Sequence, residues 1–126
     1  MLRACRRLLR PEGQIAFATI AIAPDLSKKD HRRAARLGPR SVSSTRPIGD
    51  LVGAAGFEEV EVTDVTKDFV ETLRAWFKAF NTNEAELRSL LGERFDERQR
   101  GRRDMIDATG EGLLQRLVVD ARAPSD

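Results

Sequence analysis

Apolar positions along this chain change their spacing several times, and each change predicts an element. Leu2, Cys5, Leu8 and Leu9 recur at helical spacing with arginines between them, which predicts a short amphipathic helix. Pro11 cannot extend that helix, and Gly13 permits the turn that follows. No Ser, Thr, Asp or Asn precedes it as a cap, and Arg3 sits at the positive end of its dipole. The pattern reads as a chain entered part-way along its first helix. From Gln14 to Ala23 the residues are apolar almost without break, bounded by Gly13 and Pro24. A run without alternation suits a strand covered on both faces, as in a parallel sheet. A buried helix competes, but the flanking Pro and Gly leave only the short stretch 14–23 for it. A strand of this kind normally has a neighbour on each edge, and the segment before it holds none.

Helical and strand patterns then take turns. Ser27 caps a predicted helix running through Arg36, which Gly38-Pro39 ends, and residues 41–45 read as a loop. Ile48, Leu51 and Val52 make the apolar face of a second short helix over 46–55, with Gly56 as its C-terminal turn. Over 57–65, Val60 and Val62 alternate with acidic residues, which predicts a strand with one wet face. Phe69, Val70, Leu73, Trp76, Phe77 and Phe80 give the strongest helical signal in the chain. Asn81-Thr82-Asn83 interrupts it, and Asn83 with Glu86 has capping-box spacing for a helix from Glu84 to Leu91, stopped by Gly92. Residues 93–109 are charged, with a thin stripe at Phe95, Met105 and Ile106, and read as a solvent-facing helix. After Gly110-Glu111-Gly112, residues 113–123 read as a closing strand centred on Leu117, Val118 and Val119. The order α-β-α-α-β-α-α-α-β predicts a layered α/β fold.

Length narrows this to one domain, since the chain has 126 residues. No apolar run approaches the roughly 20 residues of a membrane helix, so no membrane-spanning role is expected. The N-terminal arginines are not followed by the apolar stretch of a signal peptide. A single cysteine excludes an internal disulfide. A soluble, cytoplasmic protein is the expectation. The net charge of +2 conceals an asymmetry: residues 1–47 carry 11 basic and 3 acidic groups, and residues 48–126 carry 11 basic and 17 acidic ones. A basic front half suits nucleic acid or phosphate, or an acidic counterpart within a larger assembly. A solvated Arg-rich surface is the commoner meaning, and no nucleic-acid partner is expected.

Candidate chemistry is sparse. No Gly-rich phosphate loop is present: Gly53-Ala54-Ala55-Gly56 ends a helix instead of joining a strand to a helix start. His31 is the only histidine and no Cys/His cluster exists, so no metal site is expected. Cys5 on a helix face reads as a small core residue. The aromatic stripe from Phe69 to Phe80 reads first as core packing. It also lies between two strands, where lids and pocket walls occur.

Three segments carry a resemblance. Leu8-Leu9-Arg10-Pro11-Glu12-Gly13-Gln14-Ile15-Ala16-Phe17 resembles the L-[RK]-P-G-G-x-hydrophobic segment before the fifth strand of class I S-adenosylmethionine-dependent methyltransferases, with Glu12 in place of the first Gly. Leu51-Val52-Gly53-Ala54-Ala55-Gly56-Phe57-Glu58-Glu59-Val60 resembles their L-x-x-A-G-F-x-x-V junction into the sixth strand. Ala121-Arg122-Ala123-Pro124 is similar to the tail of their seventh strand. The resemblance implies a Rossmann-like sheet in the order 3-2-1-4-5-7-6, of which this chain supplies the C-terminal part: three strands in the order 5-7-6, the last antiparallel. It implies a single partial domain over 1–126 with an α-helical insertion at 67–109. The family's cofactor loop, ribose-binding acid and adenine segment have no counterparts here, so no cofactor-binding residue is assigned. S-adenosylmethionine is then the cofactor of the complete enzyme, not of this chain alone, and the acceptor is a small molecule. Thr19, Ile20, Phe69 and Trp76 become the candidates for the acceptor side. The partner expected is an N-terminal half, or a second copy pairing through the strand edge from Gln14 to Ala23. A non-catalytic module pairing through the same edge is the other reading.

Overall fold

A computed structural model describes residues 1–38 and 46–125. Its elements are α1 (Leu2–Leu8), β1 (Gln14–Ile22), α2 (Lys28–Leu37), α3 (Ile48–Ala54), β2 (Glu58–Asp64), α4 (Thr66–Thr82), α5 (Glu84–Leu91), α6 (Arg94–Gly110) and β3 (Leu114–Arg122). The order is the one the apolar pattern predicts. Pro39 and the loop expected at 41–45 lie outside the described residues.

The strands form one sheet in the order β1-β3-β2, with β3 antiparallel to both neighbours. β1 and β2 therefore run the same way, and parallel strands need a long crossover between them. The segment holding α2 and α3 provides it. The expected order 5-7-6 with an antiparallel last strand is the topology observed. β1 pairs with β3 in unbroken register from Gln14↔Arg122 to Ile22↔Leu114. The β2 ladder is broken by an irregularity between Glu58 and Glu61, where Glu59 takes φ +51. A bulge of this kind bends and twists the strand that carries it.

Alternation along the strands produces two cores, one on each face. Val52, Phe57, Val119 and Ala121 are buried together, and Leu2, Cys5, Leu9, Ile15, Phe17 and Ile48 pack around them. Cys5 is thus a core contact. On the other face Ala34, Ala108, Leu113 and Leu114 are buried, joined by Ile20, Ile22, Leu26, Leu37 and Met105. So α1 and α3 cover one face, while α2 and α6 cover the other. The central strand β3 contributes to both cores, with Leu114, Leu117, Val119 and Ala121 all buried.

The expected covering of β1 on both faces is met only in part. No residue of β1 is fully buried, and Ala16 and Ala18 are exposed. Among the described residues it has a single neighbouring strand, which leaves one side without the side chains and helices that a second would bring.

Local chemistry explains most boundaries. The Ser27 hydroxyl accepts the Asp30 N–H at 3.1 Å and starts α2. Gly56 adopts φ +99 after α3, a left-handed turn that glycine enters without steric cost. Three expectations need correction. Asn81-Thr82 does not interrupt α4, which runs through Thr82, and Asn83 makes no side-chain cap for α5. Its Nδ2 instead donates to the Ala79 carbonyl at 2.8 Å, an oxygen that also accepts the Asn83 backbone N–H at the end of α4. Val62, on the bulged edge strand, is 44% exposed although α3 lies on its face of the sheet. Helix α6 is not simply solvent-facing: Phe95 and Gln99 are buried against α4.

Replacing Leu114 by Ala removes a fully buried side chain from the central strand and is expected to cost about 2–5 kcal/mol in urea unfolding. Val62→Ala, at the exposed edge, is expected to stay within about 0.5 kcal/mol. Equal losses at the two positions would contradict the burial described.

Candidate functional site

Where β1 and β2 finish, β3 begins, and a set of polar contacts sets the start of α4. The Val65 N–H donates to the Arg116 carbonyl at 2.9 Å. Asp64 Oδ1 accepts the Thr66 N–H at 2.9 Å and also the Thr66 hydroxyl. That is a side-chain-closed turn, the arrangement that lets a helix begin directly after a strand. Thr66 Oγ1 in turn accepts the Arg116 N–H at 2.9 Å. These bonds tie the first turn of α4 to β3 and bring the Phe69 ring to 5.0 Å from the Arg116 guanidinium carbon, within the range of cation–π attraction. Arg116 stands opposite Ile20 in the β1–β3 register. Ile20, Arg116 and Phe69 therefore form one row drawn from three elements. Among the described residues no carboxylate pairs with the Arg116 guanidinium.

Of the four residues singled out in the sequence, two meet in this row and two do not. Ile20 and Phe69 converge on Arg116. Thr19 lies opposite Leu117, and consecutive strand residues face opposite sides of a sheet, so it points away from the row. Trp76 lies further along α4, 54% exposed, with its ring edge-on to Phe80 at 6.2 Å. Arg116 itself was not among the candidates. Its signal is a lone charge inside the apolar stretch from Leu113 to Val119.

A second polar constellation lies among α4, α5 and α6, beside an open groove of about 520 Å³ lined by Phe77, Asn81, Arg88, Phe95 and Arg103, among others. The buried Gln99 donates through Nε2 to the Phe77 carbonyl at 3.1 Å and to Asn81 Oδ1 at 3.0 Å. Its Oε1 accepts from Arg102 at 3.0 Å. Arg102 lies 3.7 Å from the centre of the Phe80 ring. Burial, and then the nearby Arg98 charge, push the Arg102 guanidinium below the usual arginine value. Arg88 grips Asp96 through two parallel bonds of 3.0 and 2.8 Å and lies over Phe95 at 4.5 Å. That hydrogen bonding raises Arg88 above its usual range and holds the Asp96 carboxyl below the usual carboxylate range. The side-chain amide of Gln99 and both oxygens of Asp96 are engaged, which makes this a clamp between helices. Among the described residues no group of three or more His, Cys, Asp or Glu is placed to hold a metal ion. No described helix is long and apolar enough to cross a membrane.

No family model and no curated protein matches the chain by sequence. Solved structures match it across nearly its whole length. Phosphoethanolamine N-methyltransferase 2 of Haemonchus contortus, solved with phosphomonomethylethanolamine and S-adenosylhomocysteine, is similar with a TM-score of 0.78 at 16% identity. A Galdieria sulphuraria protein described as a sarcosine dimethylglycine methyltransferase gives 0.79 at 16% identity. The cyclopropane synthase MmaA2 of Mycobacterium tuberculosis gives 0.74 at 13% identity. The fold is that of part of an S-adenosylmethionine-dependent methyltransferase. Between 96% and 99% of this chain is covered, but only 29%, 47% and 48% of those three proteins.

Neither connection from β1 or from β2 to the next described helix begins with a glycine turn. A nucleotide approaches a sheet of this kind where a glycine turn leads from a strand into a helix start. β1 instead leads into Ala23-Pro24-Asp25-Leu26 without a glycine, and β2 reaches α4 through Val65 alone.

The Asp96 clasp has a measurable pH signature. A carboxylate whose folded pKa is depressed adds stability above its unfolded value near 3.9 and loses it as pH falls through the lower folded value. NMR titration of the Asp96 carboxyl carbon is expected to place its midpoint below that ordinary value. Arg88→Ala is expected to move the midpoint back up, and an unmoved midpoint would show that the clasp does not form.

Proposed function

We propose that this chain is the C-terminal, acceptor-side half of a methyltransferase domain and transfers no methyl group by itself. In this reading residues 1–126 are a single partial domain whose helical insertion, 67–109, corresponds to α4, α5 and α6. The observation that carries it is the sheet: β1-β3-β2 with an antiparallel β3 repeats the 5-7-6 end of the methyltransferase order, and among the described residues β1 has no strand on its other side. The complete enzyme would move a methyl group from S-adenosylmethionine to a small-molecule acceptor. The small molecule bound in the Haemonchus structure, phosphomonomethylethanolamine, supports that class. Ile20 and Phe69, joined by Arg116, would form the acceptor wall, with Trp76 further out on the insertion and Thr19 behind the sheet.

The lack of a glycine turn for the cofactor favours a second reading, a non-catalytic α/β module that joins another polypeptide through β1. Two measurements separate the possibilities. Calorimetry of the isolated chain with S-adenosylmethionine is expected to give no saturable heat, and a micromolar isotherm would overturn the proposal. Coding DNA upstream of Met1 is expected to encode a strand followed by a Gly-rich turn, in frame or behind a frameshift. DNA without such a strand and turn would leave the module as the better reading.

A further inference from the structure

The sheet has two outer strands, and they are built differently. β2 carries Glu58, Glu59, Glu61 and Asp64 together with its bulge. Charges and bulges are the devices that keep an edge from pairing with another chain. β1 has neither: Gln14–Ile22 contains no charged residue and no proline, and its ladder is regular from end to end. One edge is closed to partners and the other is left open.

The segments that precede and follow β1 in the chain, on the two faces of the sheet, are strongly basic. On one face of the sheet Leu2, Cys5 and Leu9 share a core with Ile15 and Phe17 of β1, and on the other Ala34 and Leu37 of α2 share a core with Ile20 and Ile22. Residues 1–38, which contain α1, β1 and α2, carry nine basic and three acidic side chains. Arg3, Arg7, Arg10, Lys28, Lys29 and Arg32 are exposed.

We infer that the β1 edge selects an acidic polypeptide strand and repels a second copy of this chain. The inference rests on the half-domain reading and adds the chemistry of the partner, whether that partner is joined to this chain or separate. Backbone N–H and C=O groups of β1 supply the pairing, and they do not distinguish one strand from another. Selection falls to the flanking charge, which raises the encounter rate with an opposite charge and penalises a like one. Two copies pairing β1 to β1 would bring two basic fronts together. An acidic strand meets arginines and lysines on both faces.

The test uses the full chain and two synthetic peptides of about nine residues, β-branched at their centres, one flanked by Glu and the other by Lys. In about 20 mM NaCl the Glu-flanked peptide is expected to bind at least about tenfold more tightly than the Lys-flanked one, and about 300 mM NaCl is expected to erase most of that difference by screening. Self-association in sedimentation is expected to rise with salt. The charge-reversed chain carrying Arg3→Glu, Arg7→Glu, Lys28→Glu and Lys29→Glu, all exposed positions, is expected to prefer the Lys-flanked peptide. Equal binding of both peptides at low salt would overturn the inference while leaving the half-domain reading intact. So would dimers that are strongest at low salt, or a DNA duplex binding more tightly than the Glu-flanked peptide. A saturable S-adenosylmethionine isotherm would overturn the half-domain reading instead.

Discussion

The hydrogen-bond ladder between β1 and β3 is the contact on which the rest of this chain depends. It is the longest pairing in the fold, nine residues in continuous register. It fixes which face each strand residue takes, because side chains alternate with strict period two. Slipping β1 by one residue against β3 would carry Ile15 and Phe17 to the face of α2 and α6, and Ile20 and Ile22 to the face of α1 and α3. Both cores would be lost together. The same register sets Arg116 opposite Ile20, so the row at the start of α4 follows from it.

That ladder satisfies only one side of β1. A sheet strand is a two-sided object, with backbone groups that need partners to its left and right. β3 lies between two strands and is the best-buried element. β1 is the more apolar of the two yet has no fully buried residue. The difference is position, not composition. β2 shows the opposite solution, with acidic side chains and a bulge where its outer side meets water.

The insertion between β2 and β3 is held by a different kind of interaction. α4 and α6 meet through stacked Phe80 and Phe95 rings 5.9 Å apart, with Arg102 and Arg88 lying over them. Gln99 occupies the middle of that interface with its polar atoms bonded on both sides. A buried amide with every group satisfied specifies one alignment of two helices, whereas an apolar residue there would tolerate several.

Much of this was legible in the residues. Element order, the Ser27 cap, the Gly56 and Gly92 stops and the apolar character of β1 all follow from local rules of capping, turn preference and periodicity. The topology was readable only through the resemblance, since no periodicity states that β3 inserts between β1 and β2. Arg116 and Gln99 were not legible as partners. Their contacts join residues 47 and 22 positions apart, to Phe69 and Phe77 respectively, and such distances are closed by tertiary packing alone. Asn83 illustrates the same limit in miniature: its spacing to Glu86 suits a cap for α5, but its side chain turns back to the Ala79 carbonyl, which its own N–H already meets. Local sequence thus determined which segments became helix or strand, because those choices depend on backbone and side-chain preferences within a few residues. Which strand lies at the centre, which edge stays open and which arginine meets which ring were decided only when distant surfaces competed for the same neighbours.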